Sequence, residues 1–517
     1  MSSSVSLNGN GSSHHADFGK AILATEGWLE LFLTPAEKYN FSKWNEVVKD
    51  KSLVHSFTRK LFEYLAKYLP DNLAPTLLTF SGLVCLSQTW YLAYTYQHIH
   101  PTASTWFSMI GITIFFVISS LYGPHADLMR QHTSLSDLFK YACDSASAVF
   151  LTLLTVQSLG GDTLELQWYA VQAVQLVLFL KHLSAFRRKA GLRYHLGAGP
   201  GEVLVTCVGC LALRAIFGLS LLKEIVGRIW DAYSPVELTG NECMRILYYG
   251  LLVSSLINSY FLKSGWTKFG LLTSLSMRLI PALLLHFGME PSPLTTADVI
   301  CDGLFMSVLT TDIALAKMAG RELHPWVVLM SLAAVLSHSI ILTLVSIYFV
   351  GVFSDLCFYL NLPLLTVCRN VYCDGVYDLC HIGHKRAFQN ALQLGNRLFV
   401  GVVGDKDASE YKRPPIMSAK ERCAEVEACK AVTKVIPDAP CFGLTQEFLD
   451  EHQIHVVAFG EEYLEKYPDP KDDPYYGYVR QIGIGVPVPR THALSTSDLI
   501  SRIQKISADS LKKKSPT

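Results

Sequence analysis

Two fold classes follow one another in this chain: an α-helical polytopic membrane bundle of about ten spans, then an α/β, Rossmann-like unit. Three observations predict them. Half of the 517 residues are hydrophobic and only 17% are charged, with a positive mean hydropathy, which is too apolar for an average soluble chain. The apolar residues concentrate between Pro75 and Leu365, in runs such as LLTFSGLVCLSQTWYLAYTY and WYAVQAVQLVLFL, near the roughly 20 residues that cross a bilayer as a helix. Beyond Arg369, strand-like runs alternate with charged helical runs, the pattern of a parallel sheet covered by helices.

Taken in order, residues 1–24 read as a polar tail. MSSSVSLNGNGSSHH has no apolar core, so no signal peptide is evident, and the His14–His15 pair is assigned nothing. Residues 25–366 form the membrane domain. Its entry, SLVHSFTRKLFEYLAKYLP, places Leu61, Tyr64, Leu65 and Tyr68 on one helical face, the signature of an interfacial helix. Spans are expected to begin near Thr76, Ser104, Tyr141, Gln167, Glu202, Ile246, Phe269 and Asp298, and the run from Pro325 to Leu365 is long enough for two more. With the start on the cytosolic side, eleven basic residues, among them Lys140, Arg187, Arg188 and Lys317, fall in cytosolic loops, against Lys223, Arg228 and Arg245 opposite. That asymmetry satisfies the positive-inside rule and returns the C-terminal half to the cytosol. Arg214, Arg278, Asp302 and Asp312 lie inside spans, either as functional charges or as pairs in the bundle interior.

The thirteen cysteines show no framework and read as reduced thiols. A net charge of zero singles out no partner, and nucleic acid is not expected. Residues 506–517 read as a basic tail.

The soluble half, 367–505, reads as strand NVYCDG, helix HKRAFQNALQLG, strand RLFVGVVGD, helix SAKERCAEVEACK, strand VTKVIPD, helix LTQEFLDEHQ and strand HVVAFG. Ligands of such sheets lie at the carboxyl ends of the strands. The first strand is expected to end at Cys373, which puts CDGVYDLCHIGH at that edge. His381 and His384 could bind zinc, pack as core histidines, or hold phosphate. No convincing cysteine or carboxylate partner accompanies them, whereas a helix that starts on them offers backbone N–H groups to an anion. No protein-held metal site is assigned.

CDGVYDLCHIGH, EYKRPPIMSAKER and RTHALSTSDLI, in order and at suitable spacing, resemble the three signatures of the CTP:phosphoethanolamine and CTP:phosphocholine cytidylyltransferases. The resemblance covers about residues 370–504 and implies a nucleotidyltransferase domain. It implies that His381 and His384 contact the CTP phosphates, that Lys412 lies between the two substrates, and that Arg490, with Thr491, Ser495 and Thr496, holds the triphosphate. Val376 and Tyr377 would line the nucleotide pocket, Asp374 would face the amine, and Mg²⁺ would accompany CTP. The sequence departs from that pattern at Phe459, where the family has histidine, and at His492–Ala493, where it has Glu-Gly. Cys441 and Phe442 replace the tryptophan typical of choline enzymes and no Trp follows Trp326, so phosphoethanolamine is the expected second substrate, with phosphocholine as the alternative. A homodimer is left open.

Residues 25–365 resemble the choline/ethanolamine phosphotransferases of the CDP-alcohol phosphatidyltransferase family. Against that family's DxxDGxxAR, eight residues, GxxxDxxxD, the stretch SSLYGPHADLMRQHTSLSDLFKYACDS keeps Asp144, Gly123 and Ala126. Ser119, Tyr122 and Lys140 replace three metal-binding aspartates, Asp127 replaces the arginine and Ser136 the second glycine. The expectation is an inactive bundle serving as an anchor in the endoplasmic reticulum or another endomembrane, in contact with membrane lipid. The rivals are a bifunctional enzyme and a non-catalytic membrane scaffold.

Overall fold

The computed structural model describes residues 32–512 apart from 45–48, 71–72, 130, 196, 198, 225–227, 229–238, 264, 290–292, 337, 361, 412 and 490–495. The chain divides into two compact units, 1–366 and 367–517.

The first unit is helical. After α1 (Pro35–Ser42) comes α2 (Leu53–Ala66), which turns Phe62 and Ala66 onto Phe116 and Leu121 while Phe57, Leu61, Tyr64 and Tyr68 stay exposed. The following helices are α3 (Pro75–Tyr96), α4 (Pro101–Leu128), α5 (Ser134–Ser158), α6 (Leu164–Arg188), α7 (Pro200–Phe217), α8 (Gly240–Tyr260), α9 (Gly265–Met277), α10 (Leu279–Phe287), α11 (Thr296–Ala319), α12 (Pro325–Leu336) and α13 (His338–Leu360). Among the described residues, seven helical stretches are long and apolar enough to cross a membrane. The expected ten are not all met: α3 and α8 have the length but not the apolarity. The twelve residues of α12 rise only about 18 Å, short of a bilayer core.

Helix α11 is buried along nearly its whole length, and it carries two buried ion pairs. Arg278 and Asp302, each 1% exposed, lie 2.8 Å apart, and the Trp168 indole donates to Asp302 at 2.7 Å. Arg321 pairs with Asp312, which also accepts from the Tyr348 hydroxyl and the His324 amide. Of the two readings for Asp302, Asp312 and Arg278, interior pairing is the one seen.

The second unit is a five-stranded parallel sheet: β1 (Asn370–Gly375), β2 (Arg397–Val403), β3 (Lys434–Ala439), β4 (Val456–Gly460) and β5 (Gly485–Val488), in the order β3-β2-β1-β4-β5. Its helices are α14 (Ile382–Leu392), α15 (Asp405–Tyr411), α16 (Ala419–Glu427), α17 (Gln446–Glu451), α18 (Glu462–Lys466), α19 (Gly477–Gln481) and α20 (Thr496–Lys512). One apolar cluster packs Val371, Phe388, Leu398, Val400 and Val426, and a second packs Tyr372, Phe399, Ile436, Leu449 and Val457. Neighbouring residues of β1 and β2 thus go to opposite clusters, as strands buried on both faces require. Gly401 lets Tyr372 cross β2, because a Cβ there would meet the Tyr372 hydroxyl at 2.2 Å.

Two boundaries differ from expectation. β1 covers the whole of NVYCDG and so runs two residues past the end placed at Cys373, since Asp374 and Gly375 remain in register with Gly401 and Val402. Helix α20 continues to Lys512, through the segment read as a tail, because SADSLK contains no helix breaker.

Candidate active site

The order of strands switches sides at β1: β2 and β3 add on one flank, β4 and β5 on the other, with all strands parallel. A cleft beyond the carboxyl ends at such a point is where α/β sheets take ligands. The loop from β1 to α14 occupies this place, and its backbone is strained: Tyr377 and Leu379 adopt φ of +52° and +49°, unusual for bulky side chains.

His381 caps α14. Its Nδ1 accepts the Gly383 amide at 3.1 Å, and the Nδ1 of His384 accepts the His381 amide at 3.4 Å. A backbone N–H can only donate, so each neutral ring carries its proton on Nε2. Burial lowers the His381 pKa, which favours that neutral form. Thr496, first residue of α20, brings its hydroxyl 3.4 Å from His381 Nε2 and donates to the Asp378 carbonyl at 3.3 Å.

Asp374, at the end of β1, accepts the Tyr476 hydroxyl at 3.0 Å. Burial pushes its carboxyl up to about 6, against the pull of that hydrogen bond. Tyr476 stacks on Phe459 at 5.0 Å, and Phe442 stacks on Tyr475 at 5.4 Å. Val376 is half-buried beside Val403, Ala408 and Cys441, while Tyr377 is buried and meets His384 edge-on at 5.4 Å. The structure therefore brings Asp374, Val376, Tyr377, His381, His384 and Thr496 to one edge. Lys412, Arg490, Thr491 and Ser495 lie outside the described residues.

Two side chains that sequence reasoning passed over hold this edge together. Arg422 is fully buried and donates to the carbonyls of Val376 (2.7 Å), Val403 (2.8 Å) and Met417 (3.2 Å), and to Asp405 at 2.6 Å. Asp378 is also buried and accepts the amides of Ile416 and Met417, each at 3.0 Å, with Arg413 at 3.5 Å. Together they tie the loop after β1 to the segment that contains position 412. The one available signal was an arginine four residues beyond the N-cap Ser418 in a helix read as charged.

With this geometry, residues 372–502 match the family model described as Cytidylyltransferase-like. Residues 372–502 are a cytidylyltransferase-like domain. Choline-phosphate cytidylyltransferase A of Rattus norvegicus is 38% identical over 135 residues, 26% of this chain and 36% of that protein. Ethanolamine-phosphate cytidylyltransferase of Dictyostelium discoideum is 36% identical over 141 residues, 27% of this chain and 38% of that protein. The chain thus spans little more than a third of the length of these relatives. A solved structure, the lipopolysaccharide core biosynthesis protein from Thermoplasma volcanium GSS1, is 23% identical, covers 25% of this chain and 99% of its own, and has a TM-score of 0.20. The family model's match does not extend into the helical unit.

Proposed function

We propose that the domain forms CDP-ethanolamine and pyrophosphate from CTP and phosphoethanolamine, and that the helical unit is a degenerate phosphotransferase bundle that anchors it to an endomembrane. The observation that carries the reading is the imidazole pair at the start of α14, on the carboxyl edge of the sheet, with both Nδ1 atoms committed to backbone amides. With Nδ1 the acceptor in each ring, the proton sits on Nε2, the tautomer that donates to phosphate, at a helix N-terminus that favours an anion.

In this reading, a phosphomonoester oxygen attacks the α-phosphorus of CTP in line. The bond to the bridging oxygen breaks, and pyrophosphate leaves with that oxygen. His381 and His384 stabilise the charge that grows on the phosphates, and no covalent intermediate is needed. Lys412, Arg490, Thr491, Ser495 and Thr496 take the remaining phosphate contacts, as the resemblance implies. Asp374, ionised, holds the ammonium.

The described residues do not suit a resident Mg²⁺ site. Asp374 is engaged by Tyr476 and Asp378 by three donors, and among the described residues no group of three His, Cys, Asp or Glu converges. In this reading Mg²⁺ comes with the nucleotide, as Mg·CTP, where it screens the leaving pyrophosphate.

The test is direct: full-length protein in detergent, given Mg·CTP with phosphoethanolamine or phosphocholine, should yield the CDP-alcohol and pyrophosphate. No product with either alcohol overturns the proposal. The Phe442–Tyr475 stack favours phosphocholine as the second reading, since aromatic faces attract a quaternary ammonium.

A further inference from the structure

We propose that Asp378 is a positioning residue: without touching substrate, it braces the segment that contains Lys412 and the start of α20 against the histidine loop, so that three phosphate-binding segments are set as one. Asp378 is buried, and its carboxyl oxygens go to one remote stretch. Oδ2 accepts the Ile416 amide at 3.0 Å and faces Arg413 Nη2 at 3.5 Å, while Oδ1 accepts the Met417 amide at 3.0 Å. Its carbonyl turns to a different segment and accepts the Thr496 hydroxyl at 3.3 Å, the same hydroxyl that comes within 3.4 Å of His381 Nε2. One residue thus serves partners from 35 to 118 positions further along the chain.

Three features stiffen the brace. Between Arg413, the neighbour of Lys412 in the chain, and Ile416 stand Pro414 and Pro415, whose rings fix φ at about −65°. A grip at 413, 416 and 417 therefore holds a stiff stretch with Lys412 next to it in sequence. The Met417 peptide is held from both sides, its amide by Asp378 and its carbonyl by Arg422 Nε at 3.2 Å, and Arg422 also takes the Val376 carbonyl at 2.7 Å, two residues before Asp378. On either side of Asp378, Tyr377 and Leu379 take φ of +52° and +49°, and bulky residues stay in that region only where surrounding bonds over-determine the backbone. Loosening Asp378 would release that strain three residues before His381.

The kinetic effect rests on the function proposed above; the bracing does not. Asp378→Asn keeps the size, but it offers one acceptor oxygen where two amides point and sets its NH₂ against the other. In full-length protein in detergent, folded as the parent is by circular dichroism, this variant should form CDP-alcohol with kcat about a hundredfold lower, the cost of misplacing reacting groups by about 1 Å. Hydrogen exchange, which needs no turnover, should quicken in 413–418 and at Thr496 while β1 and β2 keep the parent's rates. Lys412→Ala supplies the readout that a merely structural role would not move: on that background Asp378→Asn should cost no more than about threefold, because a residue acting through Lys412 has little left to lose. Full additivity of the two losses, a kcat like the parent's, or unchanged exchange overturns the proposal. In the unsubstituted protein, the Ile416 and Met417 amides lie outside any helix or strand yet should exchange as slowly as those of β1; fast exchange there overturns the brace even if Asp378→Asn does not fold. If the parent makes no CDP-alcohol, the proposed function fails, and the exchange rates still decide whether Asp378 holds the segments together.

Discussion

His381 and His384 lie ring over ring, centroids 4.0 Å apart and planes 22° apart. Two charged imidazoles would repel in this arrangement, and protonating either Nδ1 would set its proton against the amide that Nδ1 accepts. The stack is built for neutral rings that donate through Nε2.

His384→Ala should therefore lower kcat on the order of a hundredfold, as for loss of a charge-stabilising donor. Circular dichroism of the variant should match the parent, because His384 is only half-buried. A kcat equal to the parent's would remove His384 from the phosphate site.

The Asp374 carboxyl, raised to about 6, loses its charge as pH falls through that value. kcat/KM for phosphoethanolamine should drop below about pH 6, and Asp374→Asn should abolish that acid limb along with most of the activity. Stability moves oppositely. The folded value lies above the unfolded one, so this group's contribution is complete below about pH 4 and is lost as pH rises through 6. An acid limb unchanged in Asp374→Asn assigns it to another group.

Arg422 and Asp405 form one ion pair with unequal ends, the arginine fully buried and the aspartate 53% exposed. Arg422→Met strands three carbonyls and should cost about 3–5 kcal/mol of domain stability. Asp405→Ala should cost within about 1 kcal/mol, as exposed partners do. Chemical denaturation compares them, and equal losses would contradict this division.

Phosphoethanolamine should show the higher kcat/KM. If Phe442 and Tyr475 read the alcohol, replacing either with alanine should cost phosphocholine more, because a quaternary ammonium has no N–H for Asp374 and depends on aromatic faces. Competition between the two substrates measures the ratio, and a preference for phosphocholine reverses the substrate proposed.

In the helical unit, Lys140 Nζ lies 2.5 Å from Asp144 Oδ2. If the helical unit is the degenerate phosphotransferase bundle proposed above, the one carboxylate kept from that family's pattern is paired with the lysine that stands where another carboxylate would be. Transfer of labelled CDP-ethanolamine to diacylglycerol should be undetectable in membranes lacking other phosphotransferases, since a lysine in this position repels a divalent ion. Mg²⁺-dependent transfer that vanishes with Asp144→Ala would make the chain a two-step enzyme.

The central strands were legible because VYCDG, RLFVGVV and HVVAFG are β-branched runs bounded by turns, and HIGH was legible because a strand precedes it and a helix starts on it. β5 was not: GVPV is four residues with a proline, tolerable only because it sits at a sheet edge. Arg422 reads like any surface helix arginine, and only the folded loop shows that three carbonyls converge on it. The partners of Asp302 and Asp312 were equally hidden, since periodicity cannot say which buried charges meet. Tyr476 failed to stand out from YYGY for the same reason: its hold on Asp374 joins residues 102 positions apart.

The strand order has a consequence for how the protein can be made. β1 is synthesised first yet lies in the middle of the sheet, and one of its flanks is covered only when β4 arrives, at Val456. A chain stopped after β3 would carry the whole histidine loop but present Val371 and Tyr372 on an open strand edge, a template for pairing between chains. Premature termination anywhere before Val456 should therefore yield aggregates rather than a smaller, weaker domain, and the cell's discrimination between finished and unfinished copies is built into the order of the strands.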